Sequence, residues 1–97
     1  MNKFISSNFT MDKVFLDGNY YEKCTFTNCI LVYQATGEVG FDSCKLINCN
    51  WSFEGPAAKT INFLRGMYHG FGPANQKVVE NLFDQIRSSE EIEVKQP

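Results

Sequence analysis

Residues 21–33, YEKCTFTNCILVY, are answered twenty residues later by residues 41–53, FDSCKLINCNWSF. Tyr21, Cys24, Phe26, Asn28, Cys29, Leu31 and Tyr33 recur as Phe41, Cys44, Leu46, Asn48, Cys49, Trp51 and Phe53, identical or aromatic-for-aromatic at most positions. Agreement at so short a period means one structural unit stacked on a near copy of itself.

The period of twenty contains a period of five. Cut into pentads from Phe9, the chain has Met11, Leu16, Tyr21, Phe26, Leu31, Thr36, Phe41, Leu46 and Trp51 at the third position, of which only Thr36 is polar. The first position holds Phe9, Val14, Asn19, Cys24, Cys29, Gln34, Val39, Cys44 and Cys49, mostly small or apolar. Two inward positions in every five fit neither a helix of period 3.6 nor a strictly alternating strand. They fit a chain that turns a corner every five residues, four sides to a coil. Each side turns one large and one small residue inward, and coils stack at about 4.8 Å.

On the pentads CTFTN, CILVY, CKLIN and CNWSF, residues 9–53 resemble a pentapeptide-repeat protein, the right-handed quadrilateral β-helix. The chain departs from the family's habit in two ways. It carries Cys rather than Ala at the first position, and Tyr20, Thr25, Ile30, Gly40, Lys45 and Asn50 at the second, where the family prefers Asp or Asn. Gln34 to Gly40 read as a loosened side, with Gly37 and Gly40 permitting a turn or bulge. The resemblance implies a right-handed β-helix, of about two and a quarter coils over residues 9–53; with the helices read in the C-terminal half, the expected fold is β with C-terminal α, the coils capped by a helical hairpin within one domain. Some members of that family protect or inhibit DNA gyrase as long acidic rods that resemble DNA. A short chain with a neutral body is not expected to do so.

The hairpin is read over residues 57–87. Ile61, Leu64 and Met67 or Tyr68 recur at spacings of three and four across Ala57–Tyr68, and Gly66, Gly70, Gly72 and Pro73 break that helix. A second helix, Ala74–Arg87, carries Val78, Val79, Leu82, Phe83 and Ile86 on one stripe. The two helices are expected to cover the last coil. The opposite end, near Phe4, Ile5 and Phe9, has less to cover it, and self-association is expected there or along an aromatic face.

Charge narrows the function classes. The formal net charge of −2 resides in Glu90, Glu91, Glu93 and Lys95 of an acidic tail, residues 88–97, leaving eight basic and eight acidic residues in the body. A neutral body lacks the basic footprint of a nucleic-acid binder and the acidic field of a DNA mimic. No signal peptide or run of eighteen apolar residues is present, so no membrane association and a cytoplasmic location are expected, with the four cysteines reduced.

No catalytic residue, metal site or cofactor is expected. Cys24-x4-Cys29 and Cys44-x4-Cys49 could offer four thiolates to zinc, but read rather as small apolar residues filling the inward slot. His69 is the only histidine, which rules out sites built on two. The connection between the helices offers a candidate anion site: Arg65, His69 and Lys77 around Gly70 and Gly72, at the start of a helix. Tyr20, Tyr33, Phe53 and Phe71 are candidate interface residues, and the repeat sets Phe53 beside Tyr33. The expected function is a non-enzymatic, homo-oligomeric protein-interaction module, an inhibitor or adaptor for a protein partner. The alternative is a small-anion or nucleotide-binding protein that sequesters its ligand, as phages use against signalling-based immunity.

Overall fold

The computed structural model describes residues 2–88. Nine short strands come first: β1 (Asn2–Ile5), β2 (Asn8–Thr10), β3 (Lys13–Phe15), β4 (Asn19–Glu22), β5 (Thr25–Thr27), β6 (Ile30–Tyr33), β7 (Val39–Asp42), β8 (Lys45–Ile47) and β9 (Asn50–Phe53). Helices α1 (Gly55–Gly70) and α2 (Pro73–Arg87) follow. All pairings are parallel, in three sheets ordered β1-β4-β7, β2-β5-β8 and β3-β6-β9, so each successive trio of strands is one coil laid on the last. The arrangement is β-helix-like, with strands on three sides of each coil. Apart from Ser88, the acidic tail lies outside the described residues.

The corners explain why the chain can turn so tightly. Between the strands of a coil sit two residues, the first with positive φ: Ser6, Lys23 and Ser43 at one corner, Met11, Asn28 and Asn48 at the next, all between 52° and 56°. The left-handed conformation costs an L-residue about 1–2 kcal/mol, least for Asn. Here hydrogen bonds offset it, because the corner amide reaches the neighbouring coil: Ser6 N donates to Glu22 O, Met11 N to Thr27 O, Lys23 N to Asp42 O and Asn28 N to Ile47 O, at 2.8–2.9 Å. At the second corner Asn48 Nδ2 also donates to Asn28 Oδ1 at 2.7 Å, a rung of stacked amides.

The second corner residue is the cysteine slot. Cys24 and Cys29 are buried, Cys44 and Cys49 half-buried, and all four are free thiols. Each Sγ lies 3.3–3.5 Å from two carbonyls, one two residues back and one on the preceding coil: Cys24 on Glu22 O and Phe4 O, Cys44 on Asp42 O and Tyr21 O. Cys29 and Cys49 repeat the arrangement. A thiol is small, apolar and a weak donor, which suits a crowded corner lined with carbonyls. In the first coil the equivalent slots hold Ser7, whose Oγ donates to Ile5 O, and Asp12.

The coils differ in length, and this corrects the pentad register. From second to third coil the offset is twenty, Asn19 opposite Val39 and Leu31 opposite Trp51. From first to second it is seventeen, Asn2 opposite Asn19 and Val14 opposite Leu31. Three full trios of strands therefore begin at Asn2 rather than two and a quarter coils at Phe9. Phe9 and Val14 take the central strand position, and Met11 is a corner residue, 78% exposed, not an inward one. The difference of three residues arises on the fourth side. There Leu16, Asp17 and Gly18 close the first coil, while Tyr33 through Glu38 cover the same path in the second.

Asp17 holds those two paths together. Its Oδ1 accepts from Gln34 N at 2.7 Å and its Oδ2 from Thr36 N at 2.8 Å and Gly37 N at 3.2 Å. Desolvation raises the pKa of this carboxyl, but the donated amides of Gln34, Thr36 and Gly37 outweigh it and hold the pKa below the ordinary value. Gly37 is required by the same approach: a Cβ on it would lie 2.9 Å from Gly18 N.

The core is a set of side-chain columns through the stack. Phe4, Tyr21 and Phe41 stack at 5.3 and 5.5 Å, and Phe9 on Phe26 at 4.8 Å, with Leu31 above Val14. Tyr21, Phe26, Leu31 and Leu16 are at most 1% exposed. The Tyr21 hydroxyl, a polar atom in that core, is satisfied by Asn19 Nδ2 at 3.2 Å. Burial raises the Tyr21 pKa, and the Asn19 bond works against that rise.

The chain divides into two compact units, with the boundary between Thr60 and Ile61 inside α1. In the first unit, Glu54 N donates to Tyr33 O and Ala57 N to Gln34 O, so the pairing of β9 with β6 runs on into the first turn of α1, where Ala57 is buried. In the second unit Tyr68 Oη donates to Glu80 Oε1 at 3.3 Å, and Val79 is the buried residue of α2. Gly66 lies within α1 and does not break it: an isolated glycine weakens a helix by about 1 kcal/mol without ending it.

Candidate functional site

The third coil is the exposed end of the stack. Its inward residues Phe41, Leu46 and Trp51 are 39%, 43% and 49% exposed, although their counterparts one coil earlier are sealed. In the first coil Phe4 and Phe9 are half-buried and Val14 buried. The main chain of the third coil is open as well. Ser43 and Asn48 repeat the corner geometry of Lys23 and Asn28, yet among the described residues no acceptor meets their amides. Cys24 O and Cys29 O accept from Lys45 N and Asn50 N, whereas Cys44 O and Cys49 O meet no donor among the described residues. β7, β8 and β9 are all edge strands on this end.

Beside that edge lies the aromatic pair expected from the repeat. Tyr33 is opposite Phe53, with ring centroids 6.5 Å apart in a T-shaped contact, and Phe53 is 49% exposed. Next to it, Ser52 Oγ donates to Glu54 Oε2 at 3.0 Å, and Lys13 Nζ pairs with the same oxygen at 3.5 Å. Tyr20 stands on another side of the stack, between Lys3 and Gly40. The absent Cβ of Gly40 leaves room for its ring, and Lys3 Nζ sits 5.4 Å from the ring centroid. Desolvation, then the Asp42 and Glu22 carboxylates, raise the Tyr20 pKa. Phe71, in the second unit, is exposed, and its carbonyl accepts from Asn75 Nδ2 at 2.9 Å.

The candidate anion residues all lie in the second unit. Arg65, His69 and Gly70 are exposed on α1, with His69 edge-on to Tyr68 at 5.0 Å. Gly72 occupies the N-cap position of α2 at φ 86°, with Pro73 following and no side chain capping the helix. Lys77 is exposed on α2, one turn beyond Pro73. Among the described residues neither Arg65 nor Lys77 forms an ion pair.

Sequence reasoning placed the cysteine slots and the Tyr33–Phe53 pair but missed the open carbonyls and amides of the third coil. Their signal was the repeat itself, which stops after Phe53 and so leaves its last copy without a successor. A groove along the second corner, about 600 Å³, is lined by Met11, Asp12, Lys13, Asn28, Asn48 and Asn50 among others. Among the described residues no three His, Cys, Asp or Glu side chains are grouped to hold a metal ion, and no helix is long and apolar enough to cross a membrane. Comparison of the chain with family models, curated proteins and solved structures finds no match.

Proposed function

We propose that this chain is a short, divergent pentapeptide-repeat-like β-helix that serves as a non-enzymatic protein-interaction module and works as a homo-oligomer, an inhibitor or adaptor. The observation that carries the reading is the third coil, where Phe41, Leu46, Trp51 and Phe53 are each 39–49% exposed beside unpaired strand edges. Contiguous apolar surface of this kind marks interaction sites, and an open β edge invites pairing. Central residues five apart, Tyr21, Phe26 and Leu31 and again Phe41, Leu46 and Trp51, support the pentapeptide-like assignment.

Light scattering on the purified chain tests the oligomer, and affinity capture with crosslinking tests the partner surface. Phe53→Ala is expected to lose a partner that Arg65→Ala/Lys77→Ala retains. The opposite pattern, with a small noncovalent mass in native mass spectrometry that vanishes in Arg65→Ala/Lys77→Ala, would replace this reading by the anion binder.

A further inference from the structure

Building on the oligomeric reading above, the third-coil edge identifies the partner and its geometry. Within the stack every corner group of the second coil is used: Lys23 N and Asn28 N donate to Asp42 O and Ile47 O, and Cys24 O and Cys29 O accept from Lys45 N and Asn50 N. The same groups one coil later are Ser43 N, Cys44 O, Asn48 N and Cys49 O. Their order is symmetric about Leu46. Ser43, three residues before it, offers a donor and Cys49, three after, an acceptor; Cys44, two before, offers an acceptor and Asn48, two after, a donor.

A second coil edge laid antiparallel, with Leu46 opposite Leu46, therefore brings each donor to an acceptor. Ser43 N–H faces the carbonyl of Cys49 of the second copy, Asn48 N–H faces that of Cys44, and both bonds are repeated by symmetry. The same relation sets Phe41 opposite Trp51 of the second copy, so that half-exposed inward side chains meet others of their kind. A helix laid on this end would cover side chains but leave Ser43 N, Cys44 O, Asn48 N and Cys49 O without partners, because its own main-chain groups are bonded internally. A lone extended strand would follow one side of the coil and leave the other two open. One like-charge pair results, Glu38 opposite Glu54 of the second copy, and Glu54 is already paired with Lys13 at 3.5 Å.

We propose that two copies of this chain join third coil to third coil, about a two-fold axis through Leu46, into one continuous stack with a shared apolar interior. Isologous contacts of this type are the commonest in homo-oligomers.

Sedimentation velocity of the full chain at micromolar concentration is expected to give twice the chain mass. Leu46→Lys sets two ammonium groups face to face at the axis and is expected to weaken association by at least ~100-fold while leaving the far-UV circular dichroism unchanged. Phe15→Lys, on the first coil, is expected to leave the dimer intact. A wild-type monomer overturns both this proposal and the oligomeric reading. A dimer that survives Leu46→Lys in a folded chain overturns the axis alone. Should Leu46→Lys not fold, Leu46→Cys decides, since paired Cα atoms about 5.5 Å apart lie within disulfide reach. Mild oxidation and peptide mapping are then expected to find position 46 of one copy linked to position 46 of the other, and failure to find that link overturns the proposal.

Discussion

The second and third coils occupy equivalent positions of one repeat, sharing Cys24/Cys44, Asn28/Asn48 and Cys29/Cys49, in opposite surroundings. Phe26 and Leu46 occupy one position of the repeat, and so do Leu31 and Trp51, yet the first of each pair is fully buried and the second is 43% and 49% exposed. Residue type does not make the difference. The last layer has a coil on one side only and its inward side chains are left half-exposed, whereas in the first layer Val14 and Leu16 are buried and Phe4 and Phe9 half-buried. Composition therefore overstates the core of a short stack.

That contrast can be broken most severely at Phe26. Phe26→Ala is expected to cost about 3–5 kcal/mol, enough to abolish cooperative unfolding in a chain this small, whereas Leu46→Ala at the matching position is expected to cost about 1 kcal/mol when both are measured on the dissociated chain, below the concentration at which copies associate. Urea denaturation followed by tyrosine and tryptophan fluorescence checks both, and equal losses would refute the layered account. Next is Gly37→Ala, whose methyl would press on the Gly18 backbone, a group that cannot swing aside as a side chain can. Its expected cost is about 2 kcal/mol, read as a lowered urea midpoint at unchanged slope.

Asp17→Asn probes the same side with a smaller expected loss at neutral pH, about 1–2 kcal/mol, because charge-assisted acceptance from Gln34, Thr36 and Gly37 is weakened. Its pH dependence has a definite sign. The folded pKa lies below the unfolded one, so the stabilisation is complete above the ordinary carboxylate range and is lost as pH falls through the depressed value. The difference in stability between wild type and Asp17→Asn is expected to shrink as the solution is acidified, and a difference that stays constant would show that ionised Asp17 has no part in it. The smallest effect expected is a gain. Met11→Asn places at the left-handed corner the residue that tolerates it best and extends the amide rung of Asn28 and Asn48 into the first coil, for about 0.5 kcal/mol of added stability by thermal melt.

The middle and last layers were legible because the repeat between residues 21–33 and 41–53 is direct: a period of twenty gives register, and register gives Tyr33 beside Phe53 and Cys24 and Cys29 inside, with Cys44 and Cys49 half-buried. The first layer was not legible by the same rule. A carboxylate that gathers three amides can hold a fourth side shortened by three residues, and the period then drops to seventeen without any change in the spacing of five. Asp17-Gly18, an ordinary turn dipeptide, carried that information only weakly. The first helix, read over 57–68, runs two residues further at each end, and the second begins one residue earlier than read, at Pro73. The open corners of the third coil needed the hydrogen-bond pattern of the coils beneath it.

The parallel register also sets how the molecule must fold. Every strand pairing joins residues seventeen or twenty apart, with no β-hairpin among the described residues to close first. The chain must therefore close a loop of about a fifth of its length before its first interstrand contact, a separation that slows folding relative to a helical bundle. Once two coils are joined, the third adds against a formed template, so nucleation and not growth limits the rate. Among those first closures, the seventeen-residue loop clasped by Asp17 is the shortest available, which makes the junction of first and second coils the natural place for the process to begin.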